Sequence, residues 1–196
     1  MTASDAKRVV VGISGASGVV YGVRLLMHLR QLGITSHLVM TRSAEVTLAH
    51  EMPLKVADVR ALADVVHRVD DIGASISSGS FRTLGMIVAP CSIRSLGEIA
   101  SGVTSTLLSR AADVTLKERR RLILLLRETP YHLGHLRAMT AATEAGAIIM
   151  PPVPAFYARP QTIEDMVDHT LGRALDLLGV DNALVKRWKS DGEPSN

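Results

Sequence analysis

The chain begins with a strand, a glycine turn and a helix, in an order that constrains the fold more than anything that follows. Lys7 to Ile13 (KRVVVGI) is a β-branched run of the kind found in strands buried on both faces. It ends in Gly12-Ile-Ser-Gly15-Ala-Ser17-Gly18. Tyr21, Leu25, Leu26, Leu29 and Leu32 then recur at helical spacing, and Gly33 marks a stop. A second strand is expected at His37 to Met40. Strand, turn, helix and strand within about 35 residues form a βαβ unit, which commits the chain to a parallel sheet.

The alternation continues. Helices are expected at about Ser43–His50, Ala57–Val66, Ile93–Ala100, Thr106–Lys117, Leu133–Ala145 and Ile163–Leu178. Strands are expected at Gly85–Ala89, stopped by Pro90, and at Leu122–Leu126 and Ala147–Met150, while Ile72–Arg82 reads as a Ser/Gly-rich loop. No repeat, linker or low-complexity tract interrupts the pattern. The expectation is one α/β domain over residues 1–188, ending at Trp188, with a polar tail at 189–196. At 196 residues and 47% apolar content the chain has enough material for a full core. That core must be aliphatic, because Tyr21, Phe81, Tyr131, Phe156, Tyr157 and Trp188 are the only aromatics. So few rings argue against a base-stacking nucleic-acid surface. One cysteine, Cys91, excludes an intramolecular disulfide and a Cys-only zinc site, and fits a reducing compartment. No apolar run approaches the ~18–20 residues of a membrane span, and MTASDAKR lacks the apolar stretch of a signal peptide. A cytoplasmic protein without membrane contact is expected.

Ligands of open parallel sheets sit beyond the carboxyl ends of the strands. Four of the five expected strand ends carry hydroxyls or arginine: Ser14–Gly18, Thr41-Arg42-Ser43, Pro90–Ser95 and Arg127–Pro130. The fifth is a Pro-rich loop with Phe156 and Tyr157. Helices starting directly from such turns suit an anionic, phosphorylated ligand. The glycine spacing is G-x-x-G-x-x-G rather than the dinucleotide fingerprint, and no acid ends the second strand. Both points favour a mononucleotide over NAD.

The turn SGASG, the run SSGSFRT…APCS, the segment RAADVTLKERR with RETP behind it, and PPVPAFYARPQTIEDMVDH…R together resemble the UbiX/Pad1 flavin prenyltransferase family, over about Val9 to Trp188. The resemblance implies a three-layer, flavodoxin-like Rossmann fold that binds FMN. It also implies transfer of a dimethylallyl group from dimethylallyl phosphate to N5 and C6 of reduced FMN, making prenylated FMN for a UbiD-type decarboxylase. By motif position, Gly15, Ala16, Ser17, Thr41, Ser92, Ile93, Arg94, Ser95 and Arg127 would contact FMN. Lys117, Arg127, Tyr157 and Arg173 would hold the prenyl phosphate, with Glu128 nearby, and Glu51 matches the family's active-site glutamate. The resemblance further implies a homo-dodecamer with sites shared among subunits.

An allylic monophosphate leaves readily only once its charge is neutralised, which cations and a phenol accomplish in a dry site. The chain has no D-D-x-x-D magnesium clamp, since Asp70-Asp71 is followed by Ile, Gly and Ala, so a metal-independent reaction is expected. Ring closure at C6 needs a base, and both Glu51 and the released phosphate qualify. Apart from the resemblance, Glu51 reads as a helix-end acid, Tyr157 as a loop plug, Arg173 as a solvent-facing helix residue and Arg119–Arg121 as a solvated helix end. Cys91 reads as a packing residue. Two other functions compete: an FMN-dependent cysteine decarboxylase, and a non-catalytic flavin carrier or accessory subunit of a hydroxyarylic acid decarboxylase. Thr106, Arg137 and Ala138 depart from residues many relatives carry.

Overall fold

The computed structural model describes residues 7–185 and 187; Trp188 and the 189–196 tail lie outside the described residues. The strands are β1 (Arg8–Ile13), β2 (Thr35–Met40), β3 (Val65–His67), β4 (Gly85–Cys91), β5 (Arg121–Leu126) and β6 (Ala147–Ile149). The helices are α1 (Val19–Gln31), α2 (Arg42–Glu51), α3 (Val56–Leu62), α4 (Ile93–Ser101), α5 (Leu107–Lys117), α6 (Leu133–Glu144) and α7 (Ile163–Leu177), with single 3-10 turns at Ser75–Ser77 and Phe156–Ala158. All strands pair in parallel, in the order β3-β2-β1-β4-β5-β6. Without the three-residue edge strand β3, this is the flavodoxin-like order.

Alternation along each strand divides the apolar residues between two layers. Val9, Val11, Ile13, Leu38, Ile87, Ile123 and Leu125 face α1, α3 and α7. Val10, Val39, Met86, Val88, Leu122 and Leu124 face α4, α5 and α6. β4 is buried along its whole length, as a central strand covered on both faces should be.

Three expectations are corrected. The stretch 57–66 is not one helix. It breaks at Ala63, and Val65–His67 pairs with β2 as a sixth strand. Ser36 drives the break: its N–H and hydroxyl both donate to Asp64 Oδ2, at 2.8 and 2.9 Å, and its hydroxyl accepts from the Asp64 N–H. Pro90 does not end β4, which runs on to Cys91 past a register shift against β5. A proline fits there because the irregularity releases it from the ladder. Arg120 is not a solvated helix end either, because its guanidinium donates to the carbonyls of Gly79 and Phe81, both at 2.7 Å. Cys91 is fully buried, and burial pushes its thiol up to about 12, as befits a packing residue.

Near the amino end of the sheet, His37 Nδ1 lies 3.0 Å from His67 Nε2, with Phe81 edge-on to His37 and Arg8 over Phe81. Burial, then the neighbouring His67 and Arg8, lower the His37 pKa from 6.5 to about 4, against a weaker opposing pull from Asp64. The folded state therefore binds fewer protons than the unfolded one between those values. Stability is fully present above pH 6.5 and falls as the pH drops through 6.5 toward 4. Urea unfolding at pH 7 and pH 5 should differ by about 1–2 kcal/mol, and His37→Leu should flatten that difference. An unchanged slope in the variant would assign the pH dependence elsewhere.

Candidate active site

The sheet order reverses between β1 and β4, where crevices open at carboxyl edges. Ser14, fully buried directly after β1, joins the two strand ends. Its hydroxyl donates to the Pro90 carbonyl at 2.8 Å and accepts from the Ser92 N–H at 2.7 Å. The Arg127 N–H then donates to the Cys91 carbonyl at 2.9 Å, tying the end of β5 to the same frame. Gly15 lies so close to the start of α2 that a Cβ would come 2.3 Å from the Ser43 side chain. Gly18, at φ 97°, occupies the left-handed conformation that turns the chain into α1.

Three of the helices that start at this edge, α1, α2 and α4, follow directly on strand ends, and their first-turn amides have no partners within the helix. Thr41 caps α2 by accepting from the Ala44 N–H at 3.1 Å, and Ser92 caps α4 by accepting from Ser95 at 3.3 Å. The start of α1 differs. Glu51, the last residue of α2, places its carboxylate on the Gly18 and Val19 amides at 2.9 and 3.0 Å. Its burial would raise the carboxyl pKa, but the Ser17 hydroxyl, the two amides and the Arg127 charge outweigh that and hold it below the usual value. The expectation of an anion site at the first turn is thus corrected: the protein's own carboxylate already occupies it.

Three cavities follow one another along the edge. A 320 Å³ cavity lies between the α2 and α4 starts, lined by Thr41, Arg42, Ser43, Ser92, Arg94 and Ser95 among others, with Thr106 on its rim. It shares Ser43, Ser92 and Arg94 with a 430 Å³ cavity that adds Gly15, Ala16, Ser17, Ile93, Arg127 and Glu128. Beyond Ser17, Arg127 and Glu128 a third, of 450 Å³, has a more apolar wall made by Tyr21, Leu126, Tyr131, Pro151, Pro152 and Val153. Thr106 also caps α5 by accepting from the Ser109 N–H, a task asparagine performs equally well, so this departure from the family pattern keeps the helix start.

The structure brings together every expected flavin contact, with Glu51 behind the first turn and Glu128 beside Arg127. It does not bring Lys117, Tyr157 and Arg173 to them. Lys117 ends α5 at the opposite edge of the sheet and pairs with Glu118 at 2.5 Å. The six residues of β5 separate Lys117 from Arg127, roughly 20 Å of strand. Tyr157 turns from the Pro-rich loop to His169 on α7, 3.4 Å from its hydroxyl, and Arg173 pairs with Asp176 at 2.8 Å. Sequence reasoning placed Ser14 and Ser43 among the strand-end hydroxyls and missed Tyr21 and Tyr131 as cavity residues. Ser14 and Ser43 flank the glycine turn and the Thr41 cap, so position alone marked them. Nothing local marked the two tyrosines.

No group of three or more His, Cys, Asp or Glu side chains placed to hold a metal ion occurs among the described residues. No described helix is long and apolar enough to cross a membrane. Hydroxyl-capped helix starts at a switch point, with no acid after β2 for a dinucleotide ribose, are the features of a mononucleotide-binding α/β protein. Residues 1–175 match the family model described as Flavoprotein. The chain is 56% identical over 186 residues to flavin prenyltransferase UbiX of Escherichia coli strain K12, covering 93% of this chain and 98% of that one. Among solved structures, AnUbiX (PadA1) in complex with FMN and dimethylallyl pyrophosphate superposes with a TM-score of 0.92 at 50% identity, covering 94% and 98% of the two chains. A dodecameric FMN-dependent UbiX-like decarboxylase from Escherichia coli O157:H7 matches at 0.90 and 45%, covering 93% and 100%. The chain belongs to the UbiX flavin prenyltransferase family.

Proposed function

We propose that this protein transfers a dimethylallyl group from dimethylallyl phosphate to reduced FMN, and that one feature carries the reading: Arg127 and Glu128 stand where the polar and apolar cavities meet. The residues fit FMN. The two joined cavities fall in the size range of small-molecule sites, and the backbone of Gly15, Ala16 and Ser17 lines the second of them. The orientation follows from charge. Glu51 already fills the α1 start, so Thr41, Ser92 and the first-turn amides of α2 and α4, with Arg42 and Arg94 set against Asp70 and Glu98 in the same cavity, would hold the FMN phosphate. Gly15, Ala16 and Ser17 would hold the ring, and Tyr21, Tyr131 and the Pro151–Val153 wall would receive the prenyl chain.

When bound, reduced FMN supplies the nucleophilic N5 and C6. The chain's task is to position the donor and stabilise its departing phosphate. Arg127 neutralises that phosphate at the cavity junction, and Lys117, Tyr157 and Arg173 complete the cluster without a metal. Those three side chains lie about half exposed at other places on the surface, so neighbouring copies must supply at least part of the set. A homo-dodecamer meets that need. Glu51 is engaged by two amides and a hydroxyl and held ionised, which makes it a weak base. We assign it to holding Ser17 and the first turn, and assign the C6 proton to the released phosphate. The product, prenylated FMN, serves a UbiD-type decarboxylase, and the protein works in the cytoplasm.

The test is anaerobic incubation of protein with reduced FMN and dimethylallyl mono- or diphosphate, followed by mass measurement of the extracted flavin. The expected result is a flavin heavier by one five-carbon unit. Unchanged flavin mass with FMN bound would leave a flavin carrier as the function.

A further inference from the structure

Tyr157 sits in a single 3-10 turn within the Pro-rich loop and is half exposed. Its hydroxyl nevertheless meets a defined partner, His169 Nε2, at 3.4 Å. The two rings pack edge to face, with centroids 5.7 Å apart at 84°. His169 is only 9% exposed and belongs to α7. That helix is fastened to α1: Asp168 accepts a bidentate pair of hydrogen bonds from Arg24, at 2.6 and 2.5 Å, and His28 Nε2 lies 2.8 Å from the same carboxylate. His169 is thus a fixed post beside a loop phenol. Arg173 follows four residues later, one turn along the same helix face.

The hydrogen-bond logic gives the post a direction. A phenol has one proton to donate. Tyr157 can give it to a donor phosphate only if the histidine nitrogen facing its oxygen carries a hydrogen. His169 with its proton on Nε2 supplies that hydrogen, leaving the Tyr157 O–H directed outward, and it removes much of the orientational freedom that phosphate binding would otherwise freeze.

We infer that His169 is a positioning residue for donor binding, holding Tyr157 by an Nε2–H to Oη hydrogen bond so that the phenol presents its proton to the phosphate of the allylic donor. This rests on the assignment of Tyr157 to the donor phosphate. The experiment compares parent, Tyr157→Phe, His169→Phe, His169→Gln and Tyr157→Phe/His169→Phe proteins in anaerobic kinetics with reduced FMN and dimethylallyl phosphate. Phenylalanine keeps the ring packing and loses the nitrogen, whereas the glutamine amide can still donate. His169→Phe should raise KM for the donor about five- to tenfold, with kcat at saturating donor and FMN affinity within about twofold of the parent. His169→Gln should recover most of that loss, and His169→Phe should add nothing in the Tyr157→Phe background. If Tyr157→Phe raises KM and His169→Phe does not, the inference is overturned while the role of Tyr157 stands. An additional loss in the Tyr157→Phe background would overturn it as well, by showing that His169 acts without the phenol. If Tyr157→Phe leaves KM unchanged, the phosphate role of Tyr157 falls, and the inference with it. Should His169→Phe fail to assemble, the same expectations apply to His169→Leu, with His169→Gln as its rescue.

Discussion

Arg127→Ala should lower turnover roughly a thousandfold, about the 4 kcal/mol a preorganised charge supplies to a departing anion in a water-poor site. The arginine is placed for this and for little else. Its backbone N–H ties the end of β5 to Cys91, and this bond survives the substitution. Its guanidinium lines both cavities at their junction and, among the described residues, takes part in no ion pair closer than its long-range attraction to Glu51. An exposed side chain with so few fixed contacts contributes within about 0.5 kcal/mol to stability, so the thermal midpoint of the variant should barely move. Arg127→Lys should fall between, since an ammonium restores the charge but not the planar pair of donors. Single-turnover kinetics under anaerobic conditions at saturating donor separates these cases. A loss of less than about tenfold in Arg127→Ala would mean that another cation carries the departing charge.

What the sequence made legible, and what it did not, divides by how far apart the cooperating residues lie. β1, the glycine turn, α1 and β2 were readable because every signal sits within one βαβ unit. The Ser92 start of α4 was readable for the same reason: a buried strand, a hydroxyl cap and a helix follow without a gap. β3 was not. It is three residues long at a sheet edge, and the hydroxyl that sets it, Ser36, lies 28 residues away from Asp64. The family resemblance singled out Glu51, but its contact with Gly18 spans 33 residues, so no local pattern could say that it fills the anion position of the first turn. Ser14 was counted among the strand-end hydroxyls expected at a ligand, yet its hydroxyl bridges to Pro90 and Ser92, 76 and 78 residues on. The donor cluster is a further degree removed. Apart from the resemblance, Tyr157 reads as a loop plug and Arg173 as a solvent-facing helix residue, and both lie with Lys117 at the surface of the folded chain. In the proposed function, their use depends on what another copy brings.

That dependence has a measurable consequence. Lys117→Ala and Arg127→Ala, purified separately, should each lose at least about a hundredfold in turnover, because each removes a charge-assisted contact to the same phosphate. Oligomers containing both variants, co-produced with different affinity tags and purified through both, should recover. β5 keeps the two residues at opposite edges of one chain's sheet, so under the proposed assignment a complete site would take Lys117 from one copy and Arg127 from another. With random placement of equal amounts, each residue is intact at a given site half the time, and about a quarter of the sites regain both. Turnover of the mixed oligomer should therefore reach about a quarter of the parent value, far above either variant alone. If both residues served a site within one chain, every chain would lack one of them, and mixing would recover nothing. The two arrangements predict activities differing by more than an order of magnitude from the same preparation, so a tagged co-production and one turnover measurement decide between them.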